Sequence, residues 1–112
     1  MAYNRLNAYR NMWLFVFFDL PTNTKTERRT AAGFRNKLLK DGFNMMQFSV
    51  YTRHCASMES AEVHLKRVKK MIPSKGNVSI LRITDKQYSN ILNFWGIKTK
   101  PLEKGFSQLE LF

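Results

Sequence analysis

Acidic residues are scarce in this chain. Eight Asp and Glu stand against nineteen Lys and Arg in 112 residues, a formal net charge of +11, and the isoelectric point lies near 10.2. An excess of this size in so short a chain points to a polyanionic partner, with nucleic acid ahead of an anionic membrane surface or a ribosomal setting. Cysteine is nearly absent too. Cys55 stands alone, which excludes an internal disulfide and suits a reducing compartment. Long hydrophobic runs are missing: the longest, Met12 to Phe18, is closed by Asp19, far short of the about 20 apolar residues that a membrane helix needs. No small-residue cleavage site follows it, and the expected location is the cytoplasm. Internal repeats, low-complexity tracts, zinc-ligand spacing, a Gly-rich phosphate loop and a Ser-His-Asp set are all lacking. His54 and Cys55 are neighbours, but in a strand they point to opposite faces and make neither a metal site nor a nucleophile–base pair. His64 is expected on an exposed helix face.

Against these absences, 44% of the residues are hydrophobic, enough for the core of one domain. The first eleven residues read as a short polar arm. MWLFVFFD (12–19) is an unbroken aromatic and β-branched run, the pattern of a central strand buried on both faces. A turn at Leu20-Pro21-Thr22-Asn23 leads into a helix. Thr24 and Glu27 have capping-box spacing, Ala31, Phe34 and Leu38 form its apolar stripe, and Gly42 sits where a C-terminal cap belongs. Lys25, Arg29, Asn36 and Lys40 lie almost opposite that stripe. FNMMQFSVYTRHC (43–55) reads as two short strands bent near Gln47 to Ser49. A second helix starts around Ser57 and ends before Pro73, with Met58, Ala61, Leu65, Val68 and Ile72 as its core stripe. Its acids come early and its lysines late, complementing the helix dipole. VSILRIT (78–84) is another strand.

The order strand, helix, strand, strand, helix, strand is the split βαβ, ferredoxin-like α+β arrangement, a four-stranded antiparallel sheet with both helices on one face. The other face is left for another sheet or a ligand. DKQYSNILNFWG (85–96) is expected to hold a turn and a short element. We divide the chain into a domain at 1–96 and a tail at 97–112, where IKTKPLEKG is linker-like and QLELF alternates like an edge strand that adds to a sheet of its own subunit or a neighbour's.

Two sets of residues carry possible chemistry. Asp19 is the only acid in the first 26 residues and ends the most apolar strand. A carboxylate there either caps the following turn or binds a metal ion; since Mg²⁺ prefers six oxygens, a homodimer pairing two copies of Asp19 would make up the shortage. Phosphate-binding candidates are Arg28, Arg29, Arg35, Lys37 and Lys40 on the first helix, Arg53 on the following strands, and Lys66, Arg67, Lys69 and Lys70 on the second helix. Any one of these could be a solvated surface charge, but together they leave the net charge to be explained by phosphate contacts. Phe48 and Tyr51 are the aromatics that could stack on bases from the open sheet face, with core packing the stronger reading for Phe48.

The segments FFDLPTNT, a basic helix containing ERR, DGFNMMQFSVYTRHC and KGNVSILRITDKQY run in order through residues 12 to 96 and resemble the Cas-two family of CRISPR-associated proteins, most closely the branch accompanying type II systems. The resemblance implies a ferredoxin-like homodimer formed through its sheets, with the C-terminal strand completing the partner's sheet. It implies that Asp19 is the metal-binding and catalytic acid, one copy from each subunit, in a Mg²⁺-dependent nuclease for single-stranded RNA or double-stranded DNA. It also implies a second role, bridging two dimers of the Cas-one integrase while the basic surface holds duplex DNA during spacer acquisition, in which Asp19 chemistry is dispensable. A ferredoxin-like RNA-binding module or endoribonuclease with no integrase partner is the alternative.

Overall fold

A computed structural model describes residues 10–96. The elements are β1 (Met12–Asp19), α1 (Lys25–Lys40), β2 (Asn44–Gln47), β3 (Val50–Cys55), α2 (Met58–Met71), β4 (Asn77–Thr84) and a one-turn α3 (Asp85–Ser89). The strands form one sheet in the order β2-β3-β1-β4, and every pairing is antiparallel. This is the βαββαβ arrangement expected from the sequence. Most of the N-terminal arm, the linker-like segment after Gly96 and the QLELF strand lie outside the described residues.

β1, the most apolar strand, is an interior one, with β3 and β4 on either side. It pairs with β3 from Met12↔Cys55 to Phe17↔Val50 and with β4 along its whole length, from Met12↔Thr84 to Asp19↔Asn77. Alternation places Met12, Leu14, Val16 and Phe18 on one face, all buried. There they meet Phe34 and Leu38 of α1, Ala61 and Val68 of α2, and Phe43, Tyr51 and Cys55, in a single cluster. The ring of Phe18 sits edge-on against Phe34, with centroids 5.1 Å apart.

Both helices begin as the sequence predicts. Thr24 Oγ1 accepts from the Glu27 amide at 3.0 Å, and Glu27 Oε1 accepts from the Thr24 amide at 3.1 Å, so two otherwise orphaned amides are satisfied at once. Ser57 caps α2 by accepting from the Ser60 amide. At the far end of α1, Gly42 adopts a left-handed φ of 92°, which only glycine takes without strain.

Four expectations need correction. The second face of β1 is only partly covered: Trp13 is half-buried, Phe15 is buried and Phe17 is 38% exposed. The cover at one end is α3, whose Tyr88 stacks on Trp13 at 3.6 Å and 3° while Asp85 Oδ1 accepts the indole N–H at 2.7 Å. Ile72 leaves the α2 stripe because the backbone turns extended there (φ −62°, ψ 125°), and it is exposed. Its sequence spacing was helical; its position is one residue past the helix.

His64 is buried, not exposed. Its Nδ1–H donates to Asp41 Oδ2 at 2.7 Å, and Arg67 Nη1 donates to Asp41 Oδ1 at 2.8 Å. Burial acts to raise the Asp41 pKa, but the two hydrogen bonds and the positive charge beside it outweigh this and hold the carboxyl below its ordinary value. An acid at a helix C-terminus is disfavoured by the dipole; these partners compensate, and they lock the end of α1 to α2. Finally, Tyr51 belongs to the core, with its ring 5.6 Å from that of Phe18, and is not a stacking residue on the open face.

Candidate active site and nucleic-acid interface

Asp19 is the last residue of β1 and shares the outer face of the sheet with Phe15 and Phe17, opposite α1 and α2. Its side chain is exposed. No hydrogen bond or ion pair engages its carboxylate among the described residues, so it does not cap the turn. That task falls to others: Glu27 Oε1 accepts from the Asn23 amide at 2.9 Å, and Arg28 Nη1 donates to the carbonyls of Thr22 at 3.1 Å and Asn23 at 3.4 Å. The open choice between cap and ligand is thereby narrowed. Asp19 stands at a strand end with its oxygens uncommitted.

The position of Asp19 is fixed by its neighbours. Across β4 it faces Asn77, and Gly76, with φ of 95°, packs directly beneath its carbonyl. On the other side the β2–β3 turn is tied to the strand by a bond from the Phe18 amide to the Ser49 carbonyl at 3.1 Å. Ser49 itself is left-handed, with φ of 65°, and the register of β2 shifts between Met45 and Gln47. The result is a tight bend that turns Phe48 outward, 82% exposed.

Two depressions flank Asp19. A shallow hollow of about 290 Å³ over the sheet end is lined by Phe17, Asp19, Phe48, Ser49, Asn77 and Ser79, among others. A narrower cleft of about 190 Å³ towards α1 is lined by Asp19, Thr22, Arg35, Phe48 and Ser49 with Phe18, Leu20 and Ala31. No group of three or more His, Cys, Asp or Glu side chains converges among the described residues. The donor set of the hollow suits Mg²⁺ in kind, an anionic carboxylate with neutral oxygens from Ser49, Ser79 and Asn77 nearby, but among the described residues one chain brings one carboxylate there, to an ion that prefers six oxygens.

The ten basic candidates separate into two groups. Arg28 holds the turn before α1. Arg53 donates Nε–H to the Asp41 carbonyl at 2.7 Å and Nη1–H to the His54 carbonyl at 2.6 Å, and Arg67 pairs with Asp41. These three guanidinium groups are engaged within the fold. Arg29, Arg35, Lys37, Lys40, Lys66, Lys69 and Lys70 make no side-chain hydrogen bond or ion pair among the described residues. On α1, Lys25, Arg29, Asn36 and Lys40 form an exposed row facing away from the core, while Arg35 is half-buried on the flank beside Asp19.

Phe48, a candidate for which core packing was the stronger reading, is instead exposed beside Asp19. The signal that could have found it was present: it lies at the bend between two strands, where alternation no longer dictates burial.

The geometry defines a class first, a ferredoxin-like α+β sandwich with a solvent-facing acid at the end of its first strand and a basic outer helix face. Comparison with known proteins is more specific. The family model described as CRISPR associated protein Cas2 matches residues 12–91. A CRISPR-associated endoribonuclease Cas2 of Flavobacterium psychrophilum is 53% identical over 110 residues, covering 98% of this chain and 96% of that protein. Proteins of the same name from Parvibaculum lavamentivorans and Paracidovorax avenae are 52% identical over 101 residues (90% of this chain, 100% of the relative) and 46% identical over 107 residues (96% and 99%). The chain belongs to the CRISPR-associated Cas2 family. No helix of the described residues is long and apolar enough to cross a membrane.

Proposed function

We propose that this protein is a CRISPR adaptation subunit, of the branch accompanying type II systems, that acts as a homodimer, holds duplex DNA by its backbone and bridges dimers of the Cas-one integrase during spacer acquisition. The observation that carries this reading is the row of Lys25, Arg29 and Lys40 on the outer face of α1, which has no acidic partner among the described residues. A row of cations left free to meet phosphate recognises a nucleic-acid backbone by charge and shape rather than by base edges, which suits a substrate whose sequence varies. The dimer is supported by the apolar part of the sheet face that α3 leaves open, where Phe17 and Leu81 are exposed. Reversing Lys25, Arg29 and Lys40 to Glu is expected to abolish spacer acquisition and to lower the salt slope of duplex binding by about one per lost phosphate contact. Duplex binding that keeps its affinity and salt slope in this variant would sink the reading.

A second reading is favoured by the uncommitted Asp19 and by the relatives' shared name. The protein is an endoribonuclease in which Asp19, one copy from each subunit, would hold Mg²⁺. The bound ion would supply Lewis-acid polarisation of the phosphodiester and a water of lowered pKa. Asp19 needs the second copy because the described residues of its own chain bring no further acid there. Asp19→Ala is expected to lose cleavage of single-stranded RNA in Mg²⁺; cleavage at the unsubstituted rate would show the activity to lie elsewhere. If that variant still supports spacer acquisition, the two roles are separable.

A further inference from the structure

We propose that Phe48 and Arg35 form a nucleotide-binding subsite beside Asp19, in which the Phe48 ring stacks on one unpaired base and the Arg35 guanidinium holds the adjoining phosphate. The proposal rests on the endoribonuclease reading of Asp19 and deepens it by naming the side chains that would recognise the unpaired nucleotide.

Three groups that lack internal partners converge on one cleft. The Phe48 ring is 82% exposed, and it is held there: the Ser49 backbone is left-handed and its carbonyl is bonded to Phe18, so the ring cannot fold back into the core without breaking the turn. A single exposed apolar side chain is ordinary. One fixed on a rigid bend, in the same cleft as a carboxylate and a guanidinium that both lack partners, is less so. Arg35 differs from the other free cations because it is half-buried and lines this cleft beside Asp19 and Thr22. The cleft, at about 190 Å³, is smaller than the roughly 300 Å³ of the smallest ordinary ligand pockets. It therefore admits a phosphate or the edge of one nucleotide, with the rest of a strand lying across the surface.

Aromatic, guanidinium and carboxylate in that arrangement match the three parts of a nucleotide at a scissile bond: a flat base, an anionic phosphate, and a position for the group that attacks or is polarised. Only an unpaired base exposes its face to a protein ring. In a duplex both faces are covered, so the Phe48 contact discriminates single strands from duplexes, whereas the α1 row does not.

Binding can be read apart from cleavage by using an Asp19→Asn background in EDTA, with a uridine 12-mer as the single strand and a mixed-sequence duplex of the same length. Phe48→Ala is expected to weaken binding of the single strand about tenfold, the usual effect of losing one stacked base, and to leave duplex binding unchanged. Phe48→Trp should restore it. Arg35→Ala should weaken single-strand binding and reduce its salt slope by about 0.7, one single-strand phosphate. Equal single-strand affinity of Phe48→Ala and its parent overturns the proposal. So does a parallel loss of single-strand and duplex binding, or a loss that tracks a change in oligomeric state by sedimentation, which would assign Phe48 to a contact between copies of the chain. Cleavage lost in Asp19→Ala with Phe48-independent binding overturns the subsite alone. Phe48-dependent binding with cleavage indifferent to Asp19→Ala upholds the subsite's binding and overturns the nuclease reading.

Discussion

A Cβ built on Gly76 would lie 2.8 Å from the carbonyl oxygen of Asp19. The turn between α2 and β4 thus packs against the end of β1 with no room for a side chain, and the left-handed φ of 95° at Gly76 would strain any other residue as well. Gly76→Ala is expected to destabilise the fold by about 1–3 kcal/mol, measured by urea denaturation. Because the clash is with backbone, the end of β1 must shift. On the proposed endoribonuclease reading, RNA cleavage should fall by more than the loss of folded protein accounts for, as compared at a temperature where both forms are folded.

Asp41 links the end of α1 to α2 through His64 and Arg67. Its carboxyl titrates below its ordinary value in the fold, so the unfolded chain takes up the proton first as pH falls. The stabilisation it brings is therefore complete above the unfolded value, near pH 3.9, and is lost as pH drops through the lower folded value. Asp41→Asn should lower stability at pH 7 by about 1–3 kcal/mol and flatten the loss of stability on acidification below about pH 4. Thermal unfolding from pH 2 to 7 checks both, and an unchanged acid limb would remove Asp41 as its source.

Cys55 is 1% exposed on the inner face of β3, and burial pushes its thiol pKa up, against the nearby charge of Arg53. A thiol held protonated and out of reach is a poor nucleophile. Ellman's reagent at pH 8 should leave the native protein unlabelled and titrate one thiol in denaturant, so rapid labelling of the native state would contradict this packing.

Tyr88 lies flat on Trp13, 3.6 Å away. Tyr88→Ala removes that cover and should cost about 0.5–1.5 kcal/mol beyond the lost burial. It should also move the Trp13 emission to longer wavelength, recorded in a Trp95→Phe background because Trp95 is 79% exposed. An unshifted spectrum would mean that α3 does not cover the strand in solution.

A core position gives the scale for these changes. Leu14 is fully buried at the centre of β1, and Leu14→Ala should cost about 2–5 kcal/mol. Lys40→Ala, on the outer face of α1, should stay within about 0.5 kcal/mol. Chemical denaturation of the pair tests whether the core is where the burial places it.

The elements were legible because their signals are local. The Thr24–Glu27 box, the Ala31-Phe34-Leu38 stripe, the bend at 47–49 and the glycine after α1 each depend on residues a few positions apart, and each occurs where the sequence places it. The site was legible only in part. Asp19 stood out as a lone acid after an apolar strand. Its freedom from capping depends on Glu27 and Arg28 taking over the turn, and a count of charges does not say which arginine will do so.

The amino-acid sequence by itself determined the βαββαβ order, the central place of β1 and the excess of positive charge, because periodicity, capping and composition act within a helix turn or a strand. Only the tertiary structure decided how each polar group is used. Asp41 meets His64 across 23 residues and Trp13 meets Asp85 across 72, so no local pattern marks His64 as buried or Arg67 as engaged. The same holds for Phe48. Its composition and neighbours suited a core, and it is the bond from Phe18 to Ser49, made once the strands pair, that turns it out beside Asp19.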